Sequence, residues 1–216
     1  MFRVIAAAIV ACLFVPSAFG AEDEQQTARA KYAELAAKVR AGNLDIDWKA
    51  LRVAAAIGEV GSGSTQFQAM KDGYSALNQG KFEESLKIGR GIEDHDIADV
   101  DAHYLAWRSL AELGRQGDAE EERILLADLL DSIQKSGDGK SVKTAWFAAT
   151  IREEYLFMQA VLNVQFQAQR TWTEDGHYYD VVAVKDKDGK DVMLWFNCDT
   201  EMHRQTAAGD RALHKQ

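Results

Sequence analysis

Apolar positions recur at helical spacing over most of the chain and at alternate positions near its end. From 23 to 41, Ala30, Tyr32, Leu35, Ala36 and Val39 mark one side of a polar helix, with Gly42 placed to stop it. Asp47 can cap a second helix that buries Trp48, Leu51, Val53, Ala55 and Ile57 and ends at Gly58. Gly61-Ser62-Gly63-Ser64 reads as a loop, and Thr65 with Gln68 has the spacing of a capping box, which starts a third helix at Gln66. Leu125, Leu126, Leu129, Leu130 and Ile133 give a later helix a full apolar face, broken by Ser136-Gly137-Asp138-Gly139-Lys140-Ser141. The next stripe, Trp146, Ile151, Tyr155, Met158 and Val161, predicts one long helix from about 142 to 162, capped by Ser141 or Thr144. The period then changes to two: Val164 to Gln169 alternates as a half-buried strand, followed by strands at 178–185 and 191–197. Asp188-Gly189 between the last two is a hairpin turn signal. The three strands form an expected antiparallel meander, with the 142–162 helix as its cover. From Thr206 onward the chain is polar and expected to fray.

A longer period runs through the helical part. Asn78-Gln79-Gly80-Lys81 is followed at a 34-residue offset by Glu112-Leu113-Gly114-Arg115, and Ser75 and Ser85 align with Ser109 and Ala119. Each glycine falls between two amphipathic helices, where it can take the left-handed conformation that closes a helix. Small residues at Ser85 and Ala119 let paired helices approach, and Gly73 sits where the first helix of such a hairpin is usually small. Over roughly residues 66–134 this resembles the tetratricopeptide repeat. Trp107 stands at the small position of the second unit.

The opening adds an address. Met1-Phe2-Arg3, an uncharged run from Val4 to Val15, and Ala18 and Gly20 have the layout of a secretory signal peptide cleaved after Gly20. The run is shorter than the roughly 20 residues a spanning helix needs. Removing it takes away Arg3 and shifts the formal net charge from -9 to about -10. An acidic chain lacks the clustered lysine and arginine of nucleic-acid binding, and no membrane surface is expected as a partner after cleavage. Ile9-Val10-Ala11-Cys12 faintly resembles a lipoprotein box, but the apolar run continues past it. Cleavage leaves Cys198 as the one thiol, expected to be a small buried hydrophobe, and a mature chain without disulfide or proline. The expected location is periplasmic or secreted.

Candidate chemistry is sparse. Gly139-Lys140-Ser141 ends like a P-loop, but Gln134 stands where the first glycine would be. Asp186-Lys187-Asp188-Gly189 invites a calcium loop, yet Val184 and Trp195 occupy ligand positions, so a hairpin turn explains it better. Glu93-Asp94-His95-Asp96 with Asp99, Asp101 and His103 could bind a divalent metal; capping of the next helix is the simpler reading, and no metal or cofactor is expected. If the chain is an enzyme, Glu153, Glu154, His177 and Asp180, with His203 nearby, are the candidates for acid–base work at a helix–sheet junction.

Ser136-Gly137-Asp138-Gly139, then Thr144-Ala145-Trp146, Glu153-Glu154-Tyr155, Tyr179-Asp180 and Leu194-Trp195-Phe196-Asn197 resemble a bacterial family, domain of unknown function 4919. Upstream, Asp47-Trp48-Lys49-Ala50-Leu51-Arg52 resembles its opening helix, so the likeness spans about 44–203. The resemblance implies a secreted or envelope protein with tetratricopeptide-like helices before a small sheet, and it brings no activity. The expected organisation is a signal at 1–20, helical hairpins at 21–135, a helix with a three-stranded meander at 136–205 and a polar tail at 206–216, an α+β fold. The leading expectation for function is a non-catalytic envelope module that binds a protein or peptide through its hairpins. The alternatives are a small hydrolase at the helix–sheet junction and a structural assembly subunit. A deep pocket holding Glu154 and His177 would favour the enzyme.

Overall fold

The computed structural model describes residues 18–213, with side-chain surroundings for 22–206. The signal-peptide expectation falls largely on residues 1–17, outside the described residues, as does Cys12. Six helices come first: α1 (Ala18–Arg40), α2 (Trp48–Ile57), α3 (Ser64–Asn78), α4 (Phe82–His95), α5 (Val100–Glu112) and α6 (Gln116–Gln134). The predicted stripe of α1 is buried at Tyr32, Leu35, Ala36 and Val39, and Gly42 leaves the helix at φ +79°. Asp47 caps α2 by accepting the Ala50 N–H at 2.9 Å. Gly80 at φ +72° and Gly114 at φ +76° make the turns of the α3–α4 and α5–α6 hairpins. A side chain there would be strained, so glycine is what the turn geometry selects. Ser85 and Ala119 are buried, and a Cβ on Gly73 would meet Leu105 and Ile88. One expectation fails here. The capping box at Thr65 does not form: α3 starts at Ser64 after Gly63, whose φ of +136° turns the chain earlier, and Gln68 instead donates to Asp72 at 2.8 Å.

The larger correction lies at 136–162. No long helix forms. A short 3-10 turn (Val142–Thr144) leads into a two-residue strand β1 (Trp146–Phe147), then α7 (Ile151–Phe157), which ends in a π turn (Met158–Leu162) and Asn163 at φ +49°. The Ser136–Gly139 motif is the cause. The N–H groups of Asp138 and Gly139 both donate to Thr144 O, at 2.9 and 2.8 Å, and Phe147 N–H donates to Ser136 Oγ at 2.7 Å. A Cβ at Gly139 would strike the Trp146 ring, and one at Gly137 would strike the Thr144 and Ala145 carbonyls. Two glycines thus let the chain fold back on itself, and the helical stripe is cut at Trp146.

The sheet is correspondingly four-stranded and mixed rather than a three-stranded meander. β2 (Gln165–Glu174), β3 (His177–Lys185) and β4 (Asp191–Asn197) pair antiparallel, and β1 adds to β4 in parallel, Trp146 opposite Phe196, giving the order β1-β4-β3-β2. Asp188-Gly189 makes the expected hairpin: Asp186 Oδ1 accepts from the N–H groups of Asp188 and Lys190, both at 2.9 Å. β2 runs past Gln169 because a second turn, Asp175-Gly176, has both residues at positive φ, +53° and +82°, as tight hairpins require. The C-terminal stretch is not a frayed tail from Thr206, since α8 (Asp199–Leu213) passes through that position.

One core joins the helices to the sheet: Leu51, Leu129 and Ile133 from α2 and α6 meet Phe157, Val182, Leu194 and Phe196. Trp146 is buried there as expected, edge-on to Phe157 at 5.0 Å between centroids and tilted on Phe196 at 5.5 Å. Burial of each such ring contributes about 1.5–3 kcal/mol.

Candidate functional site

A cleft of about 480 Å³ opens where the helical part meets the elements around the sheet. Its walls come from α2, the 59–63 loop, the start of α3, the 96–101 segment, the start of α7 and α8. Arg52 lines it from α2. This arginine lies four residues after Trp48 and three before Ala55, on the stripe that packs inward, so its side chain is fully buried. Its Nε donates to Ser132 Oγ of α6 at 2.8 Å, its Nη1 pairs with Glu153 of α7, and its Nη2 has no partner. Glu153 also accepts the Ala149 N–H at 2.7 Å. A second pair crosses the cleft: Arg152 grips Asp101 with Nε and Nη2, at 2.8 and 2.6 Å, and Tyr74 of α3 donates to the same carboxylate at 2.6 Å. A third closes the α8 side, Arg204 Nη2 on both oxygens of Glu201 at 2.8 Å, while the buried Arg204 Nε has no partner.

Asp96 and Asp99 line the same space with no direct ion pair among the described residues, and the His103 charge acts on both. Asp96 accepts the Ala98 N–H and Asp99 the Ala102 N–H, both at 2.9 Å; Gln66 Nε2 reaches Asp99 at 3.4 Å. Burial, then the charge of Asp99, pushes Asp96 up to about 7. Burial, then the charge of Asp101, pushes Asp99 up to about 6. Asp99 is thereby the helix cap the sequence predicts for α5, and also part of the cleft. Serine and threonine hydroxyls line the cleft, but among the described residues neither histidine nor cysteine does.

The four candidate acid–base residues are not brought together. Glu153 faces the cleft in its pair with Arg52. Glu154, next along α7, turns into the core, fully buried, with both carboxylate oxygens unpartnered. Burial, then the charges of Asp180, Glu153 and Glu201, raises it well above the ordinary carboxylate range. Asp180 lies under β2, where Gln169 Nε2 at 2.7 Å and Thr171 Oγ1 at 3.1 Å donate to it; burial raises it, these hydrogen bonds oppose the rise and the Glu201 charge adds to it. His177 is three positions along β3, about 10 Å by strand rise, exposed and bonded through Nδ1 to Asp199 at 2.7 Å. His203 packs edge-on against Tyr178. Cys198 is buried, and burial with the charges of Asp180 and Glu154 pushes its thiol up, away from nucleophilic use.

The acidic, histidine-bearing segment has a partner that sequence reasoning missed. Among the described residues, Glu93, His103 and Glu122 bring potential ligand atoms within 4.8 Å of one another. The set is already saturated. His103 Nδ1 meets Glu122 at 2.7 Å and its Nε2 meets Ile97 O at 2.9 Å, while Arg90 pairs with both Glu93 and Glu122. Both ring nitrogens face acceptors, so only the doubly protonated ring satisfies both. Burial, the largest influence, favours the neutral ring, but Glu122's hydrogen bond and charge prevail and hold His103 above the ordinary histidine value. Glu122 shares the stripe of Leu126, Leu129 and Ile133 on α6; a charge on an apolar stripe was the signal, as with Arg52.

The Ser136–Gly139, Thr144 and Trp146 motif positions build the fold-back, Tyr155 donates to Gln169 Oε1 at 2.7 Å, and Tyr179 and Asp180 lie within β3. No curated protein and no solved structure matches the chain. A family model, Domain of unknown function (DUF4919), matches residues 64–206, from the start of α3 into α8 and with the 47–52 segment outside it. The chain belongs to the DUF4919 family.

Proposed function

We propose that this chain is a non-catalytic binding module and that its binding site is the cleft, with a protein or peptide segment as the occupant. One observation carries the reading: the arginines of the cleft are held in ion pairs, Arg52–Glu153 and Arg152–Asp101 between elements and Arg204–Glu201 within α8. Such groups form a fixed recognition surface rather than a free base or nucleophile. The hydrolase reading has less support, because Glu154 and His177 do not line the cleft. The hairpins are read as tetratricopeptide-like from the paired glycines at 80 and 114. The tripartite N-terminus supports export to the periplasm or beyond.

The test is capture from envelope extract on immobilised protein, beside Ser62→Trp, which fills the cleft mouth from an exposed loop position. The wild type is expected to retain a partner that Ser62→Trp loses, with equal melting temperatures. Equal capture by both would place binding elsewhere; turnover of ester or peptide substrates lost in Ser62→Trp would make the cleft an active site.

A further inference from the structure

The charges of the cleft do not close on themselves. Of the lining residues, Arg52 and Arg204 each keep a buried nitrogen without an acceptor among the described residues, Nη2 and Nε. An unpaired buried donor on a charged group is a desolvation penalty that a ligand oxygen would relieve. At the same cleft, α3 begins at Gly63-Ser64 with no side chain capping its first turn. Asp96 and Asp99, which also line the cleft, form no ion pair among the described residues, although each of the three arginines has its own carboxylate. Ala55, Ala56, Val60 and Met70 supply apolar wall between.

A purely anionic ligand satisfies the arginines but meets two unpaired carboxylates. A purely cationic one satisfies Asp96 and Asp99 but leaves the guanidinium donors unmatched. Both sets of groups are satisfied by one molecule that carries a carboxylate and an ammonium. We propose, building on the cleft as the binding site, that its ligand is an unblocked amino acid or short peptide, carboxylate toward Arg52 and Arg204, ammonium toward Asp96 and Asp99. The volume of about 480 Å³ lies in the lower part of the usual small-ligand range of roughly 300–1,000 Å³.

Calorimetry on the full chain decides this, with free L-amino acids and dipeptides such as Ala-Leu, and with N-acetyl and C-amide forms of the same dipeptides. Free forms are expected to bind, and either block to weaken binding about tenfold or more, the scale of one charged hydrogen bond. Asp99→Asn keeps a good helix cap and so folds; it should lose most affinity for the free amine and leave the N-acetyl form unchanged. Arg52→Lys should weaken the free forms and leave the amide form unchanged. Undiminished binding of the N-acetyl or amide form would overturn the two-ended reading. Absence of binding by every free amino acid and dipeptide at millimolar concentration would overturn it too. The capture experiment with Ser62→Trp is independent of these probes, so a larger partner in the cleft would still register there.

Discussion

Glu154 is the residue whose placement costs the fold most visibly. A carboxyl with no hydrogen-bond partner, among three other acids, stays protonated in the native state to a pH well above its ordinary titration. The unfolded chain gives up that proton near pH 4.5. Between that pH and the raised native value the native state holds one more proton, so its stability falls as pH rises, by up to about 1.4 kcal/mol per unit. Glu154→Gln removes the penalty and nearly keeps the volume. Its melting temperature should exceed the wild type's at pH 7 and above, and the two should converge near pH 4.5. A variant less stable than the wild type at pH 8 would show that the carboxylate has a native partner. His103, a raised cation, moves stability in the same direction: its contribution is complete below about pH 6.5 and fades as pH climbs through its native value. Neither environment was visible in the sequence, because only the folded chain sets Glu153 against Arg52 and Glu154 into the core, and brings Glu122 of α6 to His103 of α5.

At the scale of elements, the glycines separate into two kinds. Gly114 needs its left-handed φ and nothing else, since a Cβ there would meet open space. Gly139 needs both its φ of +66° and the room taken by the Trp146 ring. Gly114→Ala should therefore cost about 1–2 kcal/mol, and Gly139→Ala about 3 kcal/mol or more, in denaturant unfolding. Equal costs would mean that the ring moves aside freely. The hairpin glycines were legible because the 34-residue offset places them between two strong stripes. The fold-back was not: Trp146 shares a helical period with Ile151 and Tyr155, and periodicity alone cannot register a hydrogen bond from residues 138 and 139 to a carbonyl at 144. The parallel β1 was lost with it, two residues being too short to alternate.

For the whole molecule, the cleft and the core depend on parts outside the family match. Arg52 and the α1 stripe precede residue 64, yet they pair with Glu153 and pack in the common core. A fragment limited to residues 64–206 would leave Glu153 without its arginine and uncover the core against which Leu35, Val39 and Leu51 pack. Each apolar side chain returned to water forfeits about 1.5–3 kcal/mol, so a few of them match the roughly 5–15 kcal/mol that holds a domain together. The fragment should lack a cooperative thermal transition in near-ultraviolet circular dichroism, where the chain from Ala21 shows one. A sharp transition like that of the longer chain would mean that the two opening helices are accessory. The sequence shows helices, hairpins and the last two strands, whereas the cleft joins residues from Arg52 to Arg204 and becomes visible only after folding. The pairing of Trp146 with Phe196 has a consequence for the newborn chain. The hairpins of α3 to α6 join near neighbours and can close as they emerge from the ribosome. Trp146 must wait about 50 residues for its strand, so for that interval the nascent protein carries an indole without a seat, a natural handhold for a chaperone.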